Sequence, residues 1–239
     1  MGSAARRHLY RVLLASCVAL LAIFTLPDPW GGLATPGYLV LGAVMVRTLG
    51  GDDGPNPRSA LNRKLYRALG VASLAVGALW LLTPLELRDT GLPVAVIWSL
   101  FTVWSALRLI RQLSEERRVD EAVLTGALAG YLMLGLSGGL LSAAVETVAP
   151  GSFSGVEFTV PGQDDLVGVW RLNFVRLNYF AFVSLTTTGY GDILPVTPAA
   201  QMVSIALAVA GNSYLAIVMG LLIGRFSNRS DGDDETGGA

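Results

Sequence analysis

Residues 186–192 read Thr-Thr-Thr-Gly-Tyr-Gly-Asp, and their types and spacing offer the clearest chemistry in the chain. At Gly189 and Gly191 the backbone can visit φ > 0, so successive carbonyls can face one axis, which a residue with a Cβ resists. A column of carbonyls can replace the water shell of a dehydrated cation. Thr187 can add its hydroxyl oxygen at the inner end, and Tyr190 can point its ring away from the axis to brace the oxygens. Taken alone, Gly-Tyr-Gly-Asp also suits a turn in any loop.

The flanking sequence narrows the choice. Phe180-Ala-Phe-Val-Ser-Leu185 suits a short amphipathic helix before the motif, and Pro195-Val-Thr-Pro198 lies near the start of a charge-free run, 193–224. Helix, glycine-bearing segment, extended exit and spanning helix in that order resemble the pore unit of potassium channels, over residues 179–226. The resemblance implies a re-entrant pore helix over 173–186 and a selectivity filter whose carbonyls at Thr187, Thr188, Gly189 and Tyr190 hold K⁺, with Gly191 completing the filter. Thr186, Asp192, Tyr179, Phe180 and Val183 would support it.

Three positions depart from the family pattern. Tyr179 stands where the family usually has a Trp that donates to the aspartate after the filter; its hydroxyl can serve Asp192 instead. Val183 stands where some bacterial relatives have a glutamate partner for that aspartate, which puts filter inactivation in doubt. Thr188 stands where valine is usual, yet it contributes its carbonyl either way. The last helix aligns without a gap from Asp192 to Gly211, the position at which many relatives bend; close packing against the pore helix would also call for glycine there. Beyond it Asn212, Leu215, Met219 and Ile223 recur three and four apart, one face of a helix. Asn212 would meet hydrated ions in a cavity, and Met219 and Ile223 could close an apolar gate that blocks by dewetting.

The remaining elements must hold this unit. Hydrophobic residues make up 52% of the 239 and charged residues 15%, against roughly 25% charged in soluble domains. Charge-free runs at 12–27, 29–46, 68–85, 91–107, 122–145 and 193–224 are candidate spans, since a crossing helix needs about 17 to 25 mainly apolar residues. The second is the weakest, because residues 30–37 would form a poor helix. Residues 12–16 are too short an apolar core for a cleaved signal ending at Cys17, so the first run is expected to be a span. Of the 17 basic residues only Arg88, Arg171 and Arg176 fall on one side of the resulting topology. Both termini are therefore expected in the cytoplasm and the filter outside.

Six spans with a pore before the last is also the layout of voltage-gated channels. A sensor carries a basic residue at every third position of its fourth span, because moving one charge through the field yields about 2.3 kcal/mol per 100 mV. The run 91–107 carries none. Arg108 and Arg111 have that spacing but lie at the cytoplasmic end, where they read as membrane anchors. The four peripheral spans are expected to be a non-sensing scaffold.

Glycines 126, 130, 135, 138 and 139 would let the outer pore helix approach its neighbours closely. Residues 152–161 suit a small hairpin. Glu146, Glu157, Asp164 and Asp165 could gather cations near the mouth; an ordinary solvated loop is equally compatible.

The expected architecture is an all-α membrane protein with six transmembrane helices, a re-entrant pore helix and a filter. Its parts are a four-span unit with a cytoplasmic linker over 1–119, a pore domain over 120–226 and a disordered cytoplasmic tail over 227–239. That tail is expected to leave no room for a nucleotide- or calcium-binding module in this chain. One filter strand per chain implies a homotetramer in the plasma (inner) membrane, with lipid and its own copies as partners. Net charge of −1 implies no nucleic-acid partner, and a single histidine and a single cysteine build neither a metal site nor an intrachain disulfide. An enzyme would need ionisable clusters within the spans, which hold none, and no organic cofactor is expected. A non-selective cation channel or a subunit of a potassium uptake transporter is the alternative.

Overall fold

A computed structural model describes residues 3–26, 33–51, 57–82, 92–115, 121–156 and 166–220. Its helices are α1 (Ser3–Ile23), α2 (Ala34–Leu49), α3 (Pro57–Leu82), α4 (Leu92–Glu115), α5 (Glu121–Val148), α6 (Leu166–Leu185) and α7 (Pro198–Ser213), followed by a π-helical turn, Tyr214–Met219. Two short strands, β1 (Phe153–Ser154) and β2 (Leu194–Pro195), complete it. The expected tail lies outside the described residues, as do Glu157, Asp164, Asp165 and Ile223.

Helices form where the apolar runs are, and their ends follow ordinary rules. α2 tolerates Pro36 because it falls in the first turn, where its missing N–H has no partner to lose. Thr197 caps α7 by accepting from the Ala200 N–H, with Pro198 at the first helical position, the usual grammar of a helix start. By length and apolarity α5 and the stretch Pro198–Ala216 are able to cross a membrane. α6 begins at Leu166, ahead of the expected start at Asn173, since residues 166–172 hold no proline to stop it.

α1, α2, α3 and α4 pack in sequence, each on the next, and α1 and α4 both lie against α5. α5 in turn holds α6 and α7, which also touch each other. α1 and α4 thus join the first four helices to α5, α6 and α7 of the same chain. The larger apolar core runs from Tyr10, Leu13 and Cys17 of α1 through Leu41 and Met45 of α2 and Phe101 and Leu109 of α4 to Met133 and Leu136 of α5, and a second gathers Phe153, Leu177, Phe180 and Ile193. α5 meets its neighbours through a stripe of small residues: a Cβ on Gly135 would lie 2.3 Å from Phe182, on Gly138 2.4 Å from Leu207 and on Gly139 2.1 Å from Asn178. Such contacts hold helices together where lipid removes the hydrophobic drive.

α4 continues past the apolar run, with Leu109 and Leu113 fully buried. Arg108 is buried as well, which corrects its reading as a lipid anchor. Its Nε donates to the Leu49 carbonyl at 2.6 Å, and its guanidinium lies 4.9 Å from the centre of the Tyr66 ring. Arg67 Nε donates to the next carbonyl, Gly50, at 2.7 Å. Both arginines therefore cap the carboxyl end of α2, where exposed carbonyls and the helix dipole favour cations.

Candidate functional site

The site begins at the carboxyl end of α6. The Thr187 N–H donates to Ser184 O at 3.1 Å and the Thr188 N–H to Val183 O at 3.0 Å. These are the paired bonds of a Schellman cap, whose left-handed position is Thr187. Its φ is +57°, a conformation that usually falls to glycine and that strains a β-branched residue. Val183, without an acidic side chain, serves the site through its carbonyl, which also accepts the Gly189 N–H at 3.4 Å.

From there the backbone alternates. Thr187, Gly189 and Gly191 have φ of +57°, +59° and +79°, whereas Thr188 and Tyr190 between them do not take positive φ. Alternating handedness turns successive carbonyls to one side of a strand and amides to the other. A Cβ on Gly189 or Gly191 would meet nothing within 4 Å, so handedness, not crowding, calls for glycine there. All seven residues, 186–192, are exposed on the single chain.

Side chains brace this segment from behind. Thr186 Oγ1 lies 2.8 Å from Phe182 O and 2.9 Å from Thr188 Oγ1, so the hydroxyl of Thr188 has a partner that valine would lack. The Tyr179 hydroxyl interacts with the Asp192 carboxylate. The rings of Tyr179 and Tyr190 lie parallel, within 2°, with centroids 6.4 Å apart. Phe180 is buried and meets Phe153 edge-on at 5.0 Å.

Of the hairpin expected over 152–161, residues 157–161 lie outside the described residues. β1 pairs antiparallel with β2, Phe153 opposite Pro195 and Ser154 opposite Leu194. The Val196 N–H donates to Ser152 O at 2.8 Å, and Arg176 Nη2 donates to Gly155 O at 2.6 Å. The described loop residues 152–156 are thus laced to the stretch that follows residues 186–192. Glu146 belongs to this lacing: its two carboxylate oxygens accept the N–H groups of Gly151 at 2.7 Å and Phe153 at 3.0 Å. A carboxylate so engaged organises the loop and is poorly placed to collect ions.

α7 seats against the same point. A Cβ on Gly211 would stand 2.0 Å from the carbonyl oxygen of Leu185, the last residue of α6. Two residues on, the α-helix gives way to the π-helical turn, a form common at functional sites. Tyr214 opens that turn; its hydroxyl donates to Ala127 O and its ring fits over Gly130. Asn212 and Leu215 are exposed on the single chain. Sequence reasoning missed Thr187 as a cap residue, Asn178 and the Tyr214 bond. An Asn inside the charge-free stretch 177–185 of α6 was the signal available for the second.

Comparisons with known proteins agree with this geometry. Residues 151–228 match the family described as ion channel. A voltage-gated potassium channel of Aeropyrum pernix is 35% identical over 57 residues, 24% of this chain and 19% of that protein. Residues 151–228 are thus similar to ion-channel domains, and that relative is a potassium channel. A further relative, two pore potassium channel c of Oryza sativa subsp. japonica, is 46% identical over 41 residues, 17% of this chain and 9% of the relative. The similarity thus covers about a fifth or less of the curated relatives' length. No solved structure matches the chain significantly. The match and the apolar helices fit a membrane protein, and the matched relatives are channels.

Proposed function

We propose that this protein is a potassium-selective channel that passes K⁺ down its electrochemical gradient through a homotetrameric pore in the plasma membrane. The observation that carries the reading is the alternation of φ at Thr187, Gly189 and Gly191, begun by a strained threonine that caps the pore helix. Strain of that kind persists where the surroundings impose it, and it gathers at working sites. Carbonyls of Thr187, Thr188, Gly189 and Tyr190 would ligate the ion, Gly191 would let the strand leave the axis, and Thr186, Tyr179, Phe180, Val183 and Asp192 would hold the strand in place. Four copies are needed for a ring, and α7 leaves Met202, Ile205 and Val209 uncovered for neighbours or lipid.

In this reading six helices cross the membrane with both termini cytoplasmic. α6 enters and returns, its carboxyl end supplying partial negative charge to a cavity lined by Asn212 and Leu215. Gly211 is the hinge, and Met219 and Ile223 narrow the inner end. The pore is not gated by voltage: α1 to α4 are a scaffold whose Arg108 is committed to a helix terminus and an aromatic ring, contacts that a charge moving through the field would have to break.

The experiment is reconstitution of purified protein in planar bilayers, with open probability recorded between strongly negative and positive potentials in potassium. Current that scales with driving force, without a steep sigmoid in open probability, is the expected result. A sigmoid of several gating charges would overturn the scaffold reading, and stoichiometrically coupled, saturable uptake would replace the channel by a transporter.

A further inference from the structure

Asn178 lies in the pore helix one residue before Tyr179 and is 1% exposed. Its amide is used on both sides. Nδ2 donates to Phe174 O at 2.9 Å, and Oδ1 accepts the hydroxyl of Tyr38, on α2, at 3.0 Å. Tyr38 is itself buried, in a collar where Phe174 meets it at 5.5 Å, Trp98 at 6.2 Å and Phe24 at 6.3 Å between ring centres. On the far side Asn178 rests on the bare backbone of Gly139, where a Cβ would stand 2.1 Å from Oδ1 and 2.9 Å from the Asn178 Cα.

We propose that Tyr38 and Asn178 are a positioning pair through which the peripheral helices fix the rotation of the pore helix, and so the seat of the filter; the proposal rests on the reading of residues 186–192 as a potassium filter. An apolar pair would fill the same space without burying an amide and a phenol, groups that cost free energy unless they are bonded. What the polar pair adds is direction. Its bond is satisfied in one rotational setting of α6, and in a low-dielectric interior leaving it unmade is costly. Neighbouring residues of a helix are about 100° apart around the axis. A rotation that released Asn178 from Tyr38 would therefore carry Tyr179 away from Asp192, the residue that ends the filter segment. The line of contact runs from α2 through Tyr38, Asn178 and Tyr179 to Asp192. No residue of it touches the ion.

The test compares wild type, Tyr38→Phe, Asn178→Leu and the double variant, as full chains in lipid nanodiscs and in planar bilayers. Amide hydrogen exchange over residues 186–192 is expected to quicken about three- to tenfold in each single variant, the factor that one net hydrogen bond commands. The double variant should be no faster than the faster single one, because either change removes the whole bond. The potassium-to-sodium permeability ratio should fall in the same variants. A lesion that only lowered stability would reduce the number of channels and leave that ratio unmoved. Tyr38→Phe keeps the ring collar intact, so it decides the matter if Asn178→Leu fails to fold. Wild-type exchange and an unchanged permeability ratio in Tyr38→Phe would overturn the proposal, as would effects that multiply in the double variant. If the wild-type protein proved non-selective, the filter reading would fall; the exchange data would still show whether the pair positions residues 186–192.

Discussion

Replacing Gly211 by alanine separates packing from helix propensity, because the two predict opposite signs. Propensity alone makes Gly→Ala in a helix favourable by about 1 kcal/mol. The structure says otherwise: the new Cβ would stand 2.0 Å from the Leu185 carbonyl oxygen, where ordinary contact begins near 3.4 Å. The obstacle is backbone at the end of α6, so no side chain can swing aside. α7 must back away by about 1.4 Å, and overpacking of this kind costs typically 1–3 kcal/mol. The net expectation is a loss of up to about 2 kcal/mol per subunit. Because the contact lies at the base of residues 186–192, conduction should change with it. Thermal unfolding of purified Gly211→Ala, alongside single-channel recording, measures both. A variant as stable as wild type or more so, with unaltered open time, would refute the claim that Gly211 is seated on the end of α6.

Other expectations follow from single contacts. Thr188→Val removes the Thr186 Oγ1 contact at 2.9 Å but leaves the carbonyl; stability should fall by about 0.5–1.5 kcal/mol with potassium still preferred over sodium, and lost preference would place the hydroxyl in ion selection. Arg108→Gln gives up a charged hydrogen bond to Leu49 O and should destabilise the fold by about 1.5–3 kcal/mol without altering the slope of open probability against voltage. A slope reduced by a whole gating charge would make Arg108 a sensor after all. Met219→Ala or Ile223→Ala should raise resting conduction; an unchanged closed-state leak in both would move the gate to the filter.

Much of the site was legible because glycine is legible. Gly189 and Gly191 announce positive φ by the absence of a Cβ, and Thr197-Pro198 announces a helix start. Thr187 gave no such signal: it takes the left-handed position against its own preference, and only the amides it brings to Ser184 and Val183 reveal why. The partner of β1 was hidden for a different reason. Strand periodicity says that Phe153 and Ser154 can pair, not with what, and the partner lies some 40 residues away beyond α6. Charge misled twice. Glu146 and Arg108 look like surface groups by type, yet each is consumed by backbone groups of its own chain, a use that composition cannot distinguish from solvation. The π-helical turn at Tyr214–Met219 was not legible because it has no signature in apolar spacing.

The central claim is tested most directly by the reversal potential of purified protein in a planar bilayer with potassium on one side and sodium on the other. Wild type should reverse near the potassium equilibrium potential. Gly189→Ala should abolish that selectivity, since φ of +59° costs an L-residue about 1–2 kcal/mol in each subunit. A wild-type reversal near zero, or full selectivity in Gly189→Ala, would contradict the account.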